Sequence, residues 1–94
     1  MTYNLLYHPE IQKDLHPIPK NIRARIKKAI EQRLLIDPVK YGLPLKRGLQ
    51  GYRKLRVGDY RVIYKIDAKD NIIILKIGHR KEVYGKLHLR IMEK

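Results

Sequence analysis

Lys54-Leu55-Arg56-Val57-Gly58-Asp59-Tyr60-Arg61 reads as a β-hairpin. Two alternating runs flank Gly58-Asp59, a pair suited to a tight two-residue turn because glycine accepts positive φ without steric cost. With that turn, Val57 faces Tyr60, Arg56 faces Arg61, Leu55 faces Val62 and Lys54 faces Ile63. Side chains alternate across a strand, so Lys54, Arg56 and Arg61 share one face. Like charges directly opposite one another destabilise a sheet by roughly 0.2–1 kcal/mol. A fold that tolerates this repulsion is expected to have an anion to receive.

Working outward, the chain predicts a strand, then helices, then an antiparallel sheet. Tyr3–Tyr7 is short, aromatic-rich and stopped by Pro9, which suits a first strand. Glu10–Leu15 predicts a short helix, and Pro19 suits the first turn of a second. Ile22, Ile26, Ala29, Ile30 and Leu34 recur at helical spacing, with Arg23, Arg25, Lys27 and Lys28 elsewhere on the wheel as a solvated face. Asp37-Pro38 ends that helix. Val39–Gly51 reads as a loop exposing Lys46 and Arg47. Strands follow at Tyr52–Val57, Tyr60–Ile66 and Ile72–Gly78. Val83, Leu87 and Ile91 suggest a last helix, weakened by Gly85.

The expected fold class is α+β, ordered β-α-α-β-β-β, with the antiparallel sheet covered on one side by the N-terminal helical hairpin. The covered side would hold Leu55, Val57, Val62, Tyr64, Ile66, Ile73, Leu75 and Ile77. The opposite, concave side would carry Lys54, Arg56, Arg61, Lys65 and Lys76, with His79 and Arg80 at its mouth. One lysine on an exposed strand is ordinarily a solvated side chain. Three cations crowded onto neighbouring strands are better explained as a clamp for a phosphodiester.

Size and charge narrow the function. The 94 residues are expected to form one domain over 1–94, and Lys plus Arg outnumber Asp plus Glu by 22 to 9, for a formal net charge of +13. Such an excess favours a polyanionic partner. The sequence has no cysteine, which excludes disulfides and thiolate metal sites. His8 and His16 lack a partner at metal-ligand spacing, so no metal is expected. The apolar runs are far shorter than the ~20 residues that span a bilayer, and no secretory signal pattern opens the chain. A cytoplasmic location is the expectation.

Leu55-Arg56-Val57-Gly58-Asp59-Tyr60-Arg61-Val62-Ile63-Tyr64, followed by Ile77-Gly78-His79-Arg80-Lys81-Glu82-Val83-Tyr84, resembles the RelE/ParE toxin superfamily, and within it the RelE-like branch. The likeness runs along nearly the whole chain. It implies the toxin of a type II toxin–antitoxin pair, an endoribonuclease that cuts mRNA, typically on the ribosome, without metal or other cofactor. It carries the catalytic roles to Lys54, Arg56, Arg61, Arg80 and Tyr84, with His79 kept because some relatives use a C-terminal histidine. Lys46, Arg47, Arg53, Lys65 and Lys76 are the expected RNA contacts. Well-known members have a second lysine two residues before the first, where this chain has Tyr52.

The implied reaction uses the RNA 2′-hydroxyl as nucleophile. A base takes its proton, an acid protonates the departing 5′-oxygen, and cations hold the charge of the phosphorane. Arg56 and Arg61 suit the last role, Lys54 or Tyr84 the base, and Arg80 or His79 the acid or phosphate clamp. A tyrosine, with an ordinary pKa of about 10, is a poor base alone, but neighbouring cations favour its ionised form. The resemblance also implies an acidic RelB-like antitoxin and a toxin–antitoxin hetero-oligomer. The alternatives are a ParE-like poison of DNA gyrase, which acts by protein binding, and a non-catalytic basic RNA-binding module.

Overall fold

The computed structural model describes residues 3–46 and 49–92. The elements are β1 (Asn4–Tyr7), α1 (Ile11–Leu15), α2 (Lys20–Ala29, continued by a π-helical turn at Ile30–Leu34), α3 (Pro38–Tyr41), β2 (Leu43–Pro44), β3 (Tyr52–Val57), β4 (Tyr60–Ile66), β5 (Asn71–His79) and α4 (Leu87–Met92). The five strands lie in the order β1-β5-β4-β3-β2. The α+β class and the three long strands match the expectation. The sheet, however, is mixed: β1 runs parallel to β5, with Leu6 against Ile73, while the other pairs are antiparallel. A parallel pair needs a long crossover, and everything between β1 and β5 supplies it. The expected loop also contributes a short edge strand, Leu43–Pro44, paired with Arg53 and Lys54.

The hairpin forms in the register expected, Val57 against Tyr60 through Lys54 against Ile63. Gly58 has φ +59° and Asp59 has no positive φ, the pattern of a type II′ turn, in which glycine leads. At the β4–β5 turn, Asp67 Oδ1 accepts from the Lys69 and Asn71 amides at 2.8 and 3.0 Å. These bonds, with that from Asn71 Nδ2, hold its carboxyl below the ordinary carboxylate range.

The helices cover one side of the sheet, the helix face. Leu55, Val57, Val62, Tyr64, Ile72, Ile74 and Ile77 pack there against Ile11, Ile18, Ile26, Ala29, Ile30 and Leu34, all buried. Full burial of one such aliphatic side chain stabilises by about 1.5–3 kcal/mol. The expectation of Ile73 and Leu75 on this face is corrected to Ile72 and Ile74. A β-bulge explains it: Tyr64 pairs with Ile74 but Ile63 with Lys76, so Leu75 is an extra residue that reverses the alternation.

Tyr64 is fully buried and donates its hydroxyl to Pro38 O at 2.5 Å. Burial raises its pKa, because an ionised phenol would be desolvated there. Asp37 caps α3 by accepting from the Lys40 amide at 3.1 Å, so Asp37-Pro38 ends one helix and starts another. Gly42 follows with ordinary extended backbone, and a Cβ there would collide with the Tyr64 hydroxyl. Gly42→Ala should therefore lower unfolding stability by about 1–3 kcal/mol through overpacking. Urea denaturation checks this; an unchanged midpoint would show that the α3–β2 loop yields freely.

Candidate functional site

The side of the sheet away from the helix hairpin presents Lys54 and Arg56 from β3, Arg61, Ile63 and Lys65 from β4, and Lys76 and Gly78 from β5. It is not a bare cationic surface. Ile63 is fully buried on this side under Val83 and Leu87, with Leu45, Leu49 and Ile91 packed around them. The C-terminal segment thus crosses the basic face and seals a second, smaller core on it. The sequence carried this signal, because Ile63 falls in the same alternation as Arg61 and Lys65, and an isoleucine there needs a cover.

The cover is tied down at several points. Val83 is 1% exposed and sits beside Gly78, where a Cβ would be 3.4 Å from the valine Cβ. Lys76 Nζ donates to Gly85 O at 2.6 Å. Burial, and next the positive charge of Arg90, lower the Lys76 pKa. The Arg90 guanidinium reaches around the edge of β5, donating from Nη1 to Asp14 Oδ2 at 2.8 Å and to Leu75 O at 2.9 Å, and from Nη2 to Asp14 Oδ1 at 3.0 Å. Asp14 Oδ2 also accepts the Ile77 amide at 3.1 Å, satisfying β5 where β1 no longer runs beside it. The Asp14 and Arg90 side chains are only 9% and 12% exposed, so removing Arg90 would leave a desolvated carboxylate, at about 3–5 kcal/mol, whereas Arg90 also has Glu10 Oε2 3.7 Å from its Nε.

This tail places Tyr84 over the cationic strands. The Lys54 Nζ lies 5.9 Å from the centre of the Tyr84 ring, and the tyrosine is 41% exposed, open to a ligand. Arg56 lies opposite Arg61 and is exposed, with no acidic partner among the described residues. Arg61 folds toward the hairpin turn, donating from Nη1 to Gly58 O at 3.0 Å and to Tyr60 O at 2.9 Å. Both bonds use one nitrogen of a five-donor fork. Arg80 sits at the same tip: its amide donates to Asp59 O at 2.8 Å, and its Nε is 3.9 Å from Asp59 Oδ1. That pair is well exposed and contributes little. Arg25, which the helical spacing assigns to a solvated face, also reaches the tip, its Nη2 lying 3.6 Å from where a Gly58 Cβ would be.

Other expected site residues fall elsewhere. His79 pairs with Tyr60, and the two rings meet edge to face at 5.5 Å and 78°, in the alternation that belongs to the helix face. Its Nδ1 accepts the Lys81 amide at 3.1 Å. Arg53 points to the helix face, where Nη2 donates to Val39 O at 2.7 Å and Gly42 O at 2.9 Å, so it anchors the α3–β2 loop and is not a surface contact. Lys65 lies on the basic face, its Nζ 5.9 Å from the Tyr52 ring centre, and Lys46 is exposed on the loop between β2 and β3. Arg47 lies outside the described residues. Among the described residues, no three His, Asp or Glu side chains gather into a group that could hold a metal ion. No helix among them is long and apolar enough to cross a membrane.

Comparison with known proteins agrees with this architecture. Residues 5–84 match the family described as "ParE toxin of type II toxin-antitoxin system, parDE". The chain is 33% identical over 87 residues to toxin RelG of Mycobacterium tuberculosis, covering 92% of this chain and 100% of that one. It is 32% identical over 83 residues to toxin RelE3 of Methanocaldococcus jannaschii, covering 85% and 93%. The fold superposes on the toxin–antitoxin complex RelBE2 of M. tuberculosis with a TM-score of 0.77 and 32% identity, over 85% of this chain and 100% of that one. E. coli RelE in the free state gives a TM-score of 0.74 at 18% identity, over 98% and 96%, a likeness of fold alone. With its sheet, helical hairpin and tyrosine-bearing tail in place, the chain belongs to the RelE/ParE toxin superfamily of type II toxin–antitoxin systems.

Proposed function

We propose that this toxin is a metal-independent endoribonuclease that cuts mRNA through 2′-hydroxyl attack on the scissile phosphate, and so inhibits translation. The observation that supports it most is the placement of Tyr84 beside Lys54 on a face that also carries Arg56 and Arg61. Arg56 and Arg61 hold the phosphorane charge, and Arg80 clamps the phosphate from the hairpin tip. Lys54 and Tyr84 divide the proton transfers: one accepts the 2′-hydroxyl proton and the other serves the departing 5′-oxygen. His79, turned toward Tyr60, is left as an outlying contact. Lys65 and Lys46 extend the RNA path. Action on the ribosome rests on the resemblance, as does a cytoplasmic location.

The partner is an acidic antitoxin. A +13 chain calls for counter-charge, and similar toxins of M. tuberculosis and Methanococcus jannaschii are solved as complexes with antitoxins. The two helices offer a cleft of about 580 Å³ with Ile11, Leu15, Ile26 and Ile30 inside and Lys20 and Lys27 among its charged lining. An antitoxin segment wrapping the helices would silence the site by displacing Val83–Met92 or covering Arg56 and Arg61. Expression of the toxin alone should arrest growth and produce new 5′ ends within translated mRNAs, mapped by primer extension, and co-expression with the antitoxin should abolish both. Intact transcripts with accumulated gyrase–DNA cleavage complexes would favour the ParE-like reading. A tight complex that kept full nuclease activity would overturn the masking.

Arg61→Ala should separate catalysis from attraction. Loss of one preorganised charge stabiliser typically costs about 10²–10³ in rate. Lys27→Ala, on the helix side, should instead lower the log–log salt slope of RNA binding by ~0.7. Single-turnover cleavage beside binding at several salt concentrations reads both, with circular dichroism confirming the fold. Equal losses of affinity in the two variants, with normal cleavage at saturating RNA, would make Arg61 an ordinary phosphate contact.

A further inference from the structure

Lys76 was expected among the RNA contacts, and its geometry gives it another task. Continuing the alternation of Ile72 and Ile74 would turn Lys76 into the core beneath the helices. The extra residue at Leu75 turns it to the basic face instead, opposite Ile63. Bulges commonly re-aim a side chain in this way. There the ammonium does not extend into solvent. It meets the carbonyl of Gly85 at 2.6 Å, the residue after Tyr84.

The segment it grips is held locally by the backbone bonds of successive turns. Between the end of β5 and the start of α4 the chain runs through turns, and Lys86 takes a left-handed φ of +59°, uncommon for a residue with a side chain. Val83 anchors the near side of Tyr84 by burial against Gly78. Leu87 and the Arg90–Asp14 pair anchor the far side. The phenol itself has no hydrogen bond among the described residues that would orient it, and its ring is 41% exposed. Among the described residues, the Lys76–Gly85 bond is the side-chain hydrogen bond nearest to Tyr84 on its C-terminal side, and it adds to the backbone bonds from Gly85 N to Glu82 O at 3.0 Å and from Leu87 N to Tyr84 O at 3.2 Å.

We propose that Lys76 is a positioning residue, whose bond to the Gly85 carbonyl holds the Tyr84 turn so that the phenol stays beside Lys54. This inference rests on the ribonuclease reading for its catalytic consequence, but the anchor itself can be tested without activity. A charge-assisted hydrogen bond is about twice as strong as a neutral one, enough to bias the geometry of a turn otherwise held by single backbone bonds. A displacement of about 1 Å at a reacting group can cost on the order of 10²-fold in rate.

The test uses Lys76→Met, which keeps the aliphatic stem, with Lys76→Arg as the conservative variant and Tyr84→Phe alone and combined with Lys76→Met. Single-turnover cleavage at saturating RNA should fall roughly 10–100-fold in Lys76→Met. RNA affinity should change far less, and Lys76→Arg should recover part of the rate. The double variant should cleave no more slowly than Tyr84→Phe, because both changes act through one group. Hydrogen exchange at the Gly85 and Leu87 amides should be about tenfold faster in Lys76→Met, with sheet amides unchanged, which also reports the fold. Unchanged exchange in Lys76→Met would overturn the anchor. Additive losses in the double variant, or weakened affinity with normal cleavage at saturation, would overturn the positioning role and make Lys76 a phosphate contact. Wild-type protein without ribonuclease activity would instead overturn the enzymatic reading on its own.

Discussion

A carboxylate on α1 and a guanidinium on α4 meet around the open edge of β5, and the arrangement of the basic face depends on that meeting. Asp14 accepts two bonds from Arg90 and one from the Ile77 amide. The pair thereby closes a strand edge, joins the helix hairpin to the C-terminal helix, and holds Leu87 over Ile63. Without it the small second core would rest on its apolar contacts and the Lys76–Gly85 bond. Because that core lies within the cationic surface, its integrity decides where Tyr84 stands relative to Lys54, Arg56 and Arg61.

The basic face combines two opposed demands. A face proposed to receive a polyanion needs crowded cations, whereas a sheet is destabilised by like charges placed across from each other. The structure meets both by local means. Arg61 is drawn toward the carbonyls of its own hairpin, Arg80 lies beside Asp59, and the Lys76 ammonium donates to a backbone carbonyl. Arg56 is left exposed and without an acidic partner among the described residues, the position at which an incoming phosphate would relieve the most repulsion. An acidic antitoxin would relieve the same repulsion by covering it, so neutralisation and substrate binding draw on one electrostatic source.

Local patterns made the hairpin, the long strands and α2 legible in the sequence, because turn chemistry and periodicity act over a few residues. The register from Val57–Tyr60 to Lys54–Ile63 follows from Gly58-Asp59 alone. What was hidden depended on contacts distant in sequence. The bulge at Leu75 reversed the faces of Ile72 to Leu75, and nothing in an unbroken apolar run signals an extra residue. The parallel pairing of β1 with β5 and the Asp14–Arg90 pair link residues more than sixty positions apart. Of the residues named for the site, Lys54 and Arg56 share the basic face, and Tyr84 lies beside Lys54. Arg53 and His79 are not on it, since strand alternation at Arg53 and the Tyr60–His79 register send both toward the helix face.

The central claim is that this face cleaves RNA using the substrate's own 2′-hydroxyl. The most direct measurement is single-turnover cleavage of an mRNA substrate carrying one 2′-deoxynucleotide immediately 5′ to the mapped scissile phosphate, beside the all-ribose parent. The account predicts that cleavage at that phosphate disappears while binding is retained, and that the parent yields a 2′,3′-cyclic phosphate end. Cleavage of the deoxy-substituted strand at the same phosphate and a similar rate would contradict it.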